Sequence, residues 1–291
     1  MSTALADPRP EENSTTGPVR LGRVDYVNVL PVYMGLEEEG TRCSLVPGVP
    51  TDLNARLRRR EIDCAPVSAI EVARSAGRYA MLPGLSISSI GPVGSSMLVS
   101  RVPPRELNGR SVALTTHSAA SLAYFRILCD RLWKVTPKTV DAEPDLRQML
   151  TENDACVLIG NPAIRAVDVA SRRDDLHVVD LGEAWHELTG LPCVFAVWAV
   201  WRDWAEAHPE DVGVLRDDLE RGRAWGLDPA HREALDARGA AETGLDQARL
   251  HDYFDKQDYR LTEDHQRGLR RFFTELAALG LAPATPLEFT P

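Results

Sequence analysis

No two cysteines in this 291-residue chain stand in a C-x-x-C spacing, and their number, five, is odd. Neither a disulfide framework nor a zinc site is suggested. Cys64, Cys129, Cys156 and Cys193 lie inside apolar runs, where a free thiol behaves as a small hydrophobe; Cys43 stands apart from the others. Excess positive charge is also missing: the net charge is -10, so the clustered Lys and Arg that hold nucleic acid phosphates are not expected. A small anion is a different matter, because a few amides, hydroxyls or one helix end can hold it locally. No apolar run approaches membrane-spanning length; the longest, Leu191 to Trp201, has the length of a strand. There is no P-loop and no Rossmann glycine fingerprint, and His186-Glu187 lacks the second His of a zinc protease. Nucleotide, dinucleotide and metalloprotease chemistry are thereby disfavoured, and no metal site is expected.

The first 18 residues, Met1 to Pro18, are polar and Pro-containing, without a basic start or an apolar stretch. They read as a disordered tail rather than an export signal, and the chain is expected in the cytoplasm. Beyond the tail, 44% hydrophobic and 26% charged residues are ordinary for a folded globular protein, and the length favours two domains. Val19 to Val24 alternates as a strand, and Pro31 suits the first turn of a helix. A strand near Cys43 to Val46, a helix from Thr51 to Arg60 and a strand from Glu61 to Ser68 follow. The βαβα rhythm predicts a parallel sheet covered by helices. A further strand at Met97 to Val102 precedes Pro103-Pro104-Arg105-Glu106-Leu107-Asn108-Gly109, read as the crossover into a second domain with strands at Ser111 to Leu114, Ala155 to Ile159 and His177 to Leu181. The run Cys193 to Trp201 is long enough to cross back. Residues 19–100 with 196–291 are therefore expected to form one lobe and residues 101–195 the other, with ligand in the cleft between them. Leu269, Phe272, Phe273, Leu276 and Leu279 form the apolar stripe of a final helix that ends at Gly280.

The candidate site lies in turns between strands and helices: Tyr26-Val27-Asn28, the turn at Ser68, Gly94-Ser95-Ser96, and Thr115 to Ser121. Such turns leave unpaired N–H groups that favour a carboxylate, although simple N-capping by Thr116 or Ser118 accounts for the same hydroxyls. Chemistry alone leads to a two-lobed protein that binds a small anion.

Gly22-Arg23-Val24-Asp25-Tyr26-Val27-Asn28-Val29-Leu30-Pro31 resembles the opening motif of the chorismate dehydratases of the futalosine route to menaquinone. Further matches are Leu82-Pro83-Gly84, Ile87-Ser88-Ser89, Gly91-Pro92-Val93, Ile159-Gly160-Asn161-Pro162-Ala163 and Leu188-Thr189-Gly190-Leu191-Pro192, together covering roughly residues 19 to 280. The resemblance implies an α/β fold of periplasmic-binding-protein type II, with two α/β lobes and a central cleft. It implies loss of water from chorismate to give 3-[(1-carboxyvinyl)oxy]benzoate, with no cofactor. It implies catalytic roles for Asn28 and Ser95, and substrate contacts from Tyr26, Ser68, Ser95, Thr116, Ser118, Ala119 and Asn161; His117 joins the expected contacts by its placement in the turn alone. Gly94 and Ala119 stand where the family often carries cations, and Asn161 where Asp is common. His117 replaces a small hydroxyl residue and is the one conventional base in these turns. Asp25 is expected to face away and Glu71 to lie on a helix, so the substrate's enolpyruvyl carboxylate is the expected proton acceptor. A solute-binding protein, a ligand sensor and the sibling 1,4-dihydroxy-6-naphthoate synthase share the fold and are the alternatives.

Overall fold

The structure is a computed structural model that describes residues 17–116 and 118–290. His117 and all of the expected N-terminal tail except Gly17 and Pro18 lie outside the described residues. The strands are β1 (Arg20–Val24), β2 (Ser44–Gly48), β3 (Cys64–Ser68), β4 (Tyr79–Ser89), β5 (Ser96–Ser100), β6 (Ser111–Thr115), β7 (Lys138–Ala142), β8 (Ala155–Ile159), β9 (His177–Asp180), β10 (Cys193–Trp201) and β11 (Asp258–Leu261). They form a six-stranded sheet, β11-β4-β10-β3-β1-β2, and a five-stranded sheet, β7-β6-β8-β5-β9.

The two sheets repeat one plan. In the first, β1 pairs in parallel with β2 and β3, and β10 runs antiparallel between β3 and β4. In the second, β6 pairs in parallel with β7 and β8, and β5 runs antiparallel between β8 and β9. The antiparallel strand is in each case the one that arrives by crossing over from the other half of the molecule. This corrects the expected boundaries. Ser96 to Ser100 does not extend the first sheet: it pairs with β8 from Ser96↔Ile159 to Ser100↔Ala155. Cys193, Val194 and Ala196 pair with β4 of the first sheet, so the return is complete before Cys193. The chain thus crosses between Ser89 and Ser96 and again between Thr189 and Cys193. The Pro103–Gly109 segment, whose prolines suggested a linker, folds inside the second half around a short 3-10 turn at Pro104–Glu106.

Helices cover both sheets, and their contacts follow from small residues where backbones meet. In the helix Leu30–Glu39, a Cβ added at Gly35 would lie 2.2 Å from the carbonyl oxygen of Gly222 in the helix Pro209–Leu227. Only glycine permits that approach. The final helix, Glu263–Ala278, buries Leu269, Phe272, Phe273 and Leu276 on the first sheet's core, and Gly280 follows in the left-handed region at φ 67°. The helix Ala120–Leu128 of the second half also enters that core through Tyr124, whose ring stacks on Phe272 with centroids 4.1 Å apart. Tyr124 donates its hydroxyl proton to the Val194 carbonyl and accepts from the Val194 amide. All five cysteines are free and buried, and burial pushes the Cys43 thiol up to about 11.

Candidate active site

Parallel strands of both sheets end at a cavity between the two halves of the molecule, the position where open α/β sheets hold ligands. Val24 ends β1, Ser68 ends β3 and Ile159 ends β8, and all three line it. Tyr26, Asn28, Ile87, Phe195 and Ala196 come from the first half, and Ser95, Ser96, Ser118, Ser121 and Gly160 from the second. Gln257, just before β11, completes the polar lining. No described residue of that lining carries a formal charge.

Each polar group is positioned by its local fold. The 3-10 turn Val27–Val29 carries Asn28, and the buried Tyr259 hydroxyl donates to the Asn28 carbonyl oxygen at 2.8 Å. Tyr26 lies against Gly160, where an added Cβ would be 3.3 Å from three ring atoms; Gly160 has φ +60°, so a larger residue there would meet both strain and the ring. Burial, followed by the nearby Asp25, raises the Tyr26 phenol above its ordinary value. Ser68 precedes the helix Ala69–Arg74 without using its hydroxyl as a cap. Ser118 does cap, its Oγ accepting from the Ser121 amide at 3.2 Å at the start of Ala120–Leu128. Ser95 accepts from the Tyr253 hydroxyl at 3.3 Å, and its carbonyl accepts from the Gly160 amide. The N-terminal ends of Ala120–Leu128 and Gly160–Ala170 thus both open on the cavity and set positive partial charge there.

The crossing segment is held by Asp180. Its carboxylate accepts from the amides of Val93 and Gly94, and from Gly182 and Glu183 at the start of the helix Leu181–Thr189. Burial raises its pKa, and the four amides only partly offset that effect. This clamp fixes Val93 and the adjoining Ser95 at the cavity wall.

Four polar side-chain atoms of the lining, Asn28 Oδ1, Ser68 Oγ, Ser96 Oγ and Gln257 Oε1, are buried with no hydrogen-bond partner among the described residues. Each such atom costs about 1–3 kcal/mol, and folded proteins retain few of them. Four around one cavity make it the candidate site among the described residues.

Of the residues expected from sequence, Tyr26, Asn28, Ser68, Ser95 and Ser118 share this cavity. Three others do not line it. Thr116 is exposed, its hydroxyl 3.4 Å from Glu143 Oε1. Ala119 packs against the core at the start of its helix. Asn161 is turned to the neighbouring cavity lined by Arg23 and Asp25, where its Oδ1 accepts from the Val27 amide at 3.3 Å and ties the two halves together. Beside Ala119 and Asn161, it is Ser118, Ala120 and Gly160 that reach the cavity. His117 lies outside the described residues. Glu71 is on a helix and paired with Arg58 at 2.6 Å. Ser96 and Ser121 also line the cavity; both lie inside turns singled out from the sequence without being assigned a role there, whereas Gln257 belongs to no motif and was missed. No cluster of three or more His, Cys, Asp or Glu among the described residues is arranged to hold a metal ion.

A family profile described as menaquinone biosynthesis matches residues 19–278. A chorismate dehydratase of Thermus thermophilus is 31% identical over 284 residues, spanning 94% of this chain and 98% of that protein. In structure, the chain is similar to an Archaeoglobus fulgidus protein, with a TM-score of 0.74 at 19% identity and coverage of 92% of this chain and 99% of the other. It is also similar to the alkanesulfonate-binding protein SsuA of Xanthomonas axonopodis pv. citri, with a TM-score of 0.68 at 17% identity, covering 94% and 97% of the two chains. The fold is that of the periplasmic binding proteins, in agreement with the duplicated sheet order.

Proposed function

The chain belongs to the menaquinone-biosynthesis family and within it to the chorismate dehydratases, and from that membership we propose that the interlobe cavity binds chorismate and removes water from it. The observation that supports this site is the set of four buried, unpartnered polar atoms around an uncharged cavity. The product is 3-[(1-carboxyvinyl)oxy]benzoate. In the reaction, the C–H bond beside the enol ether oxygen breaks and its electron pair enters the ring π system. The neighbouring C–O bond breaks, its oxygen takes up a proton, and water leaves from a ring that has become aromatic. Redox state does not change.

The residues supply binding and orientation. The departing proton is vinylogous to the ring carboxylate, so charge spreads onto those oxygens. Donors there stabilise the dienolate more than the ground state. Hydroxyls at Ser95, Ser96 and Ser118, together with the helix start at Ala120, are suited to that carboxylate, and Asn28 to the enolpyruvyl group without adding charge. The absence of a charged group among the described lining residues favours the substrate's own enolpyruvyl carboxylate as proton acceptor, held where proximity makes a weak base effective. We place this activity in the cytoplasm; no helix among the described residues is long and apolar enough to cross a membrane.

Incubating the purified protein with chorismate is expected to produce an aromatic absorbance and a species lighter by one water in mass spectrometry. Chorismate bound and recovered unchanged would place the chain with the solute-binding proteins or sensors.

A further inference from the structure

We propose that Gln257 is the group that accepts the hydrogen bond of the substrate's ring hydroxyl and so orients it for departure; this rests on the chorismate reading. Gln257 is 9% exposed and lies between the helix Gln247–Phe254 and β11, remote in sequence from the turns that form the rest of the site. Its Nε2 donates to the Val93 carbonyl at 2.7 Å. That bond fixes which end of the amide faces the cavity, because the flipped arrangement would set two carbonyl oxygens against each other. Val93 is itself held by the Asp180 carboxylate at 3.0 Å, so the amide has a rigid anchor. The remaining atom, Oε1, is buried, unpartnered and part of the cavity lining.

An amide oxygen only accepts. The serine hydroxyls of the lining both donate and accept, and the Asn28 side-chain oxygen has no partner among the described residues that would fix the amide's orientation. Gln257 Oε1 is therefore a restricted position: it repels a carboxylate and requires a donor. Chorismate carries two carboxylates, one ether oxygen and one hydroxyl, so the hydroxyl is its single donor. Matching the single donor to this acceptor fixes the orientation of the ring in the cavity. With its proton held by Gln257, the hydroxyl presents its lone pairs to the incoming proton as the C–O bond breaks.

The test compares ligands with and without that donor. In Gln257→Met, kcat/KM for chorismate is expected to fall on the order of tenfold to a hundredfold. Inhibition by the dehydrated product, which lacks the hydroxyl, should stay within about threefold of wild type, the change expected where no hydrogen bond is lost. Equal losses for both ligands would make Gln257 a structural residue, and no loss for either would remove it from the site. A measurement on the wild-type protein avoids any folding defect: the 4-O-methyl ether of chorismate, which cannot donate, should bind at least tenfold more weakly than chorismate, and equal binding would overturn the assignment. Wild-type protein that neither binds nor converts chorismate would instead overturn the substrate reading itself.

Discussion

At Asn28 the side-chain oxygen is buried without a partner among the described residues, and Tyr259 holds the backbone of the turn from below. Asp has nearly the same shape, so Asn28→Asp exchanges the amide donor for a charged acceptor without changing the packing. A carboxylate there would face a dianionic substrate in a cavity whose described lining has no cation to offset it. Like charges brought together in such a site cost several kcal/mol, so kcat/KM is expected to fall on the order of a hundredfold or more. Partial recovery at lower pH, as the new acid is protonated, is expected alongside, and wild-type kcat/KM would exclude Asn28 from the site. The place of Asn28 at the cavity was legible in the sequence because it stands in a hydroxyl- and amide-rich turn after a strand and within a family motif. Gln257 was not, because what marks it is an anchor supplied by Val93, 164 positions away along the chain.

Among the elements, local pattern revealed those whose sequence alternates or carries punctuation at the ends. The strands β1, β3, β6, β8 and β10 fall where the pattern placed them, as does the final helix with its glycine stop. Strand β4 was hidden: Leu82-Pro83-Gly84 looks like a turn, yet it lies within an eleven-residue strand whose pairings with β10 and β11 absorb irregularities by shifts of register. Strand β7 was hidden for another reason, since it is an edge strand exposed along most of its length and has no apolar face to show. The helix pair Leu30–Glu39 and Pro209–Leu227 shows what pattern cannot carry, because its contact is made by missing side chains. A Cβ at Gly222 would lie 2.4 Å from the Val32 carbonyl oxygen. Gly222→Ala should therefore destabilise the protein by about 1–3 kcal/mol through overpacking, read as a lower urea midpoint. Gly213→Ala in the same helix has nothing within 4 Å and serves as the control; it should be neutral or gain up to about 1 kcal/mol from helix propensity.

Over the whole molecule, the two sheets are joined by more than their two crossing segments. Tyr124 of the second half stacks on Phe272 and is hydrogen-bonded to Val194, both in the first. Beside this contact, Glu275 of the final helix accepts from Arg131 Nε at 2.7 Å across the halves, and from Arg271 Nε at 2.8 Å on its own helix. Glu275 is 6% exposed. Burial pushes its pKa up, but the two guanidinium groups outweigh that and leave it below the ordinary carboxylate value. The folded state therefore favours the ionised form. Its stabilisation is fully present above the unfolded value of about 4.3, and is lost as the pH falls through the lower folded value. Glu275→Gln keeps the shape and removes the charge. At pH 7 it is expected to cost about 1.5–3 kcal/mol, the range for hydrogen bonds to charged groups, seen as a fall in Tm of roughly 2–5 °C. In acid the wild type loses the same interaction, so the gap between the two proteins should close as the pH drops below about 4. A gap that stayed constant across that range would mean that the loss in Glu275→Gln does not come from the carboxylate's charge and that this charge does not hold the halves together.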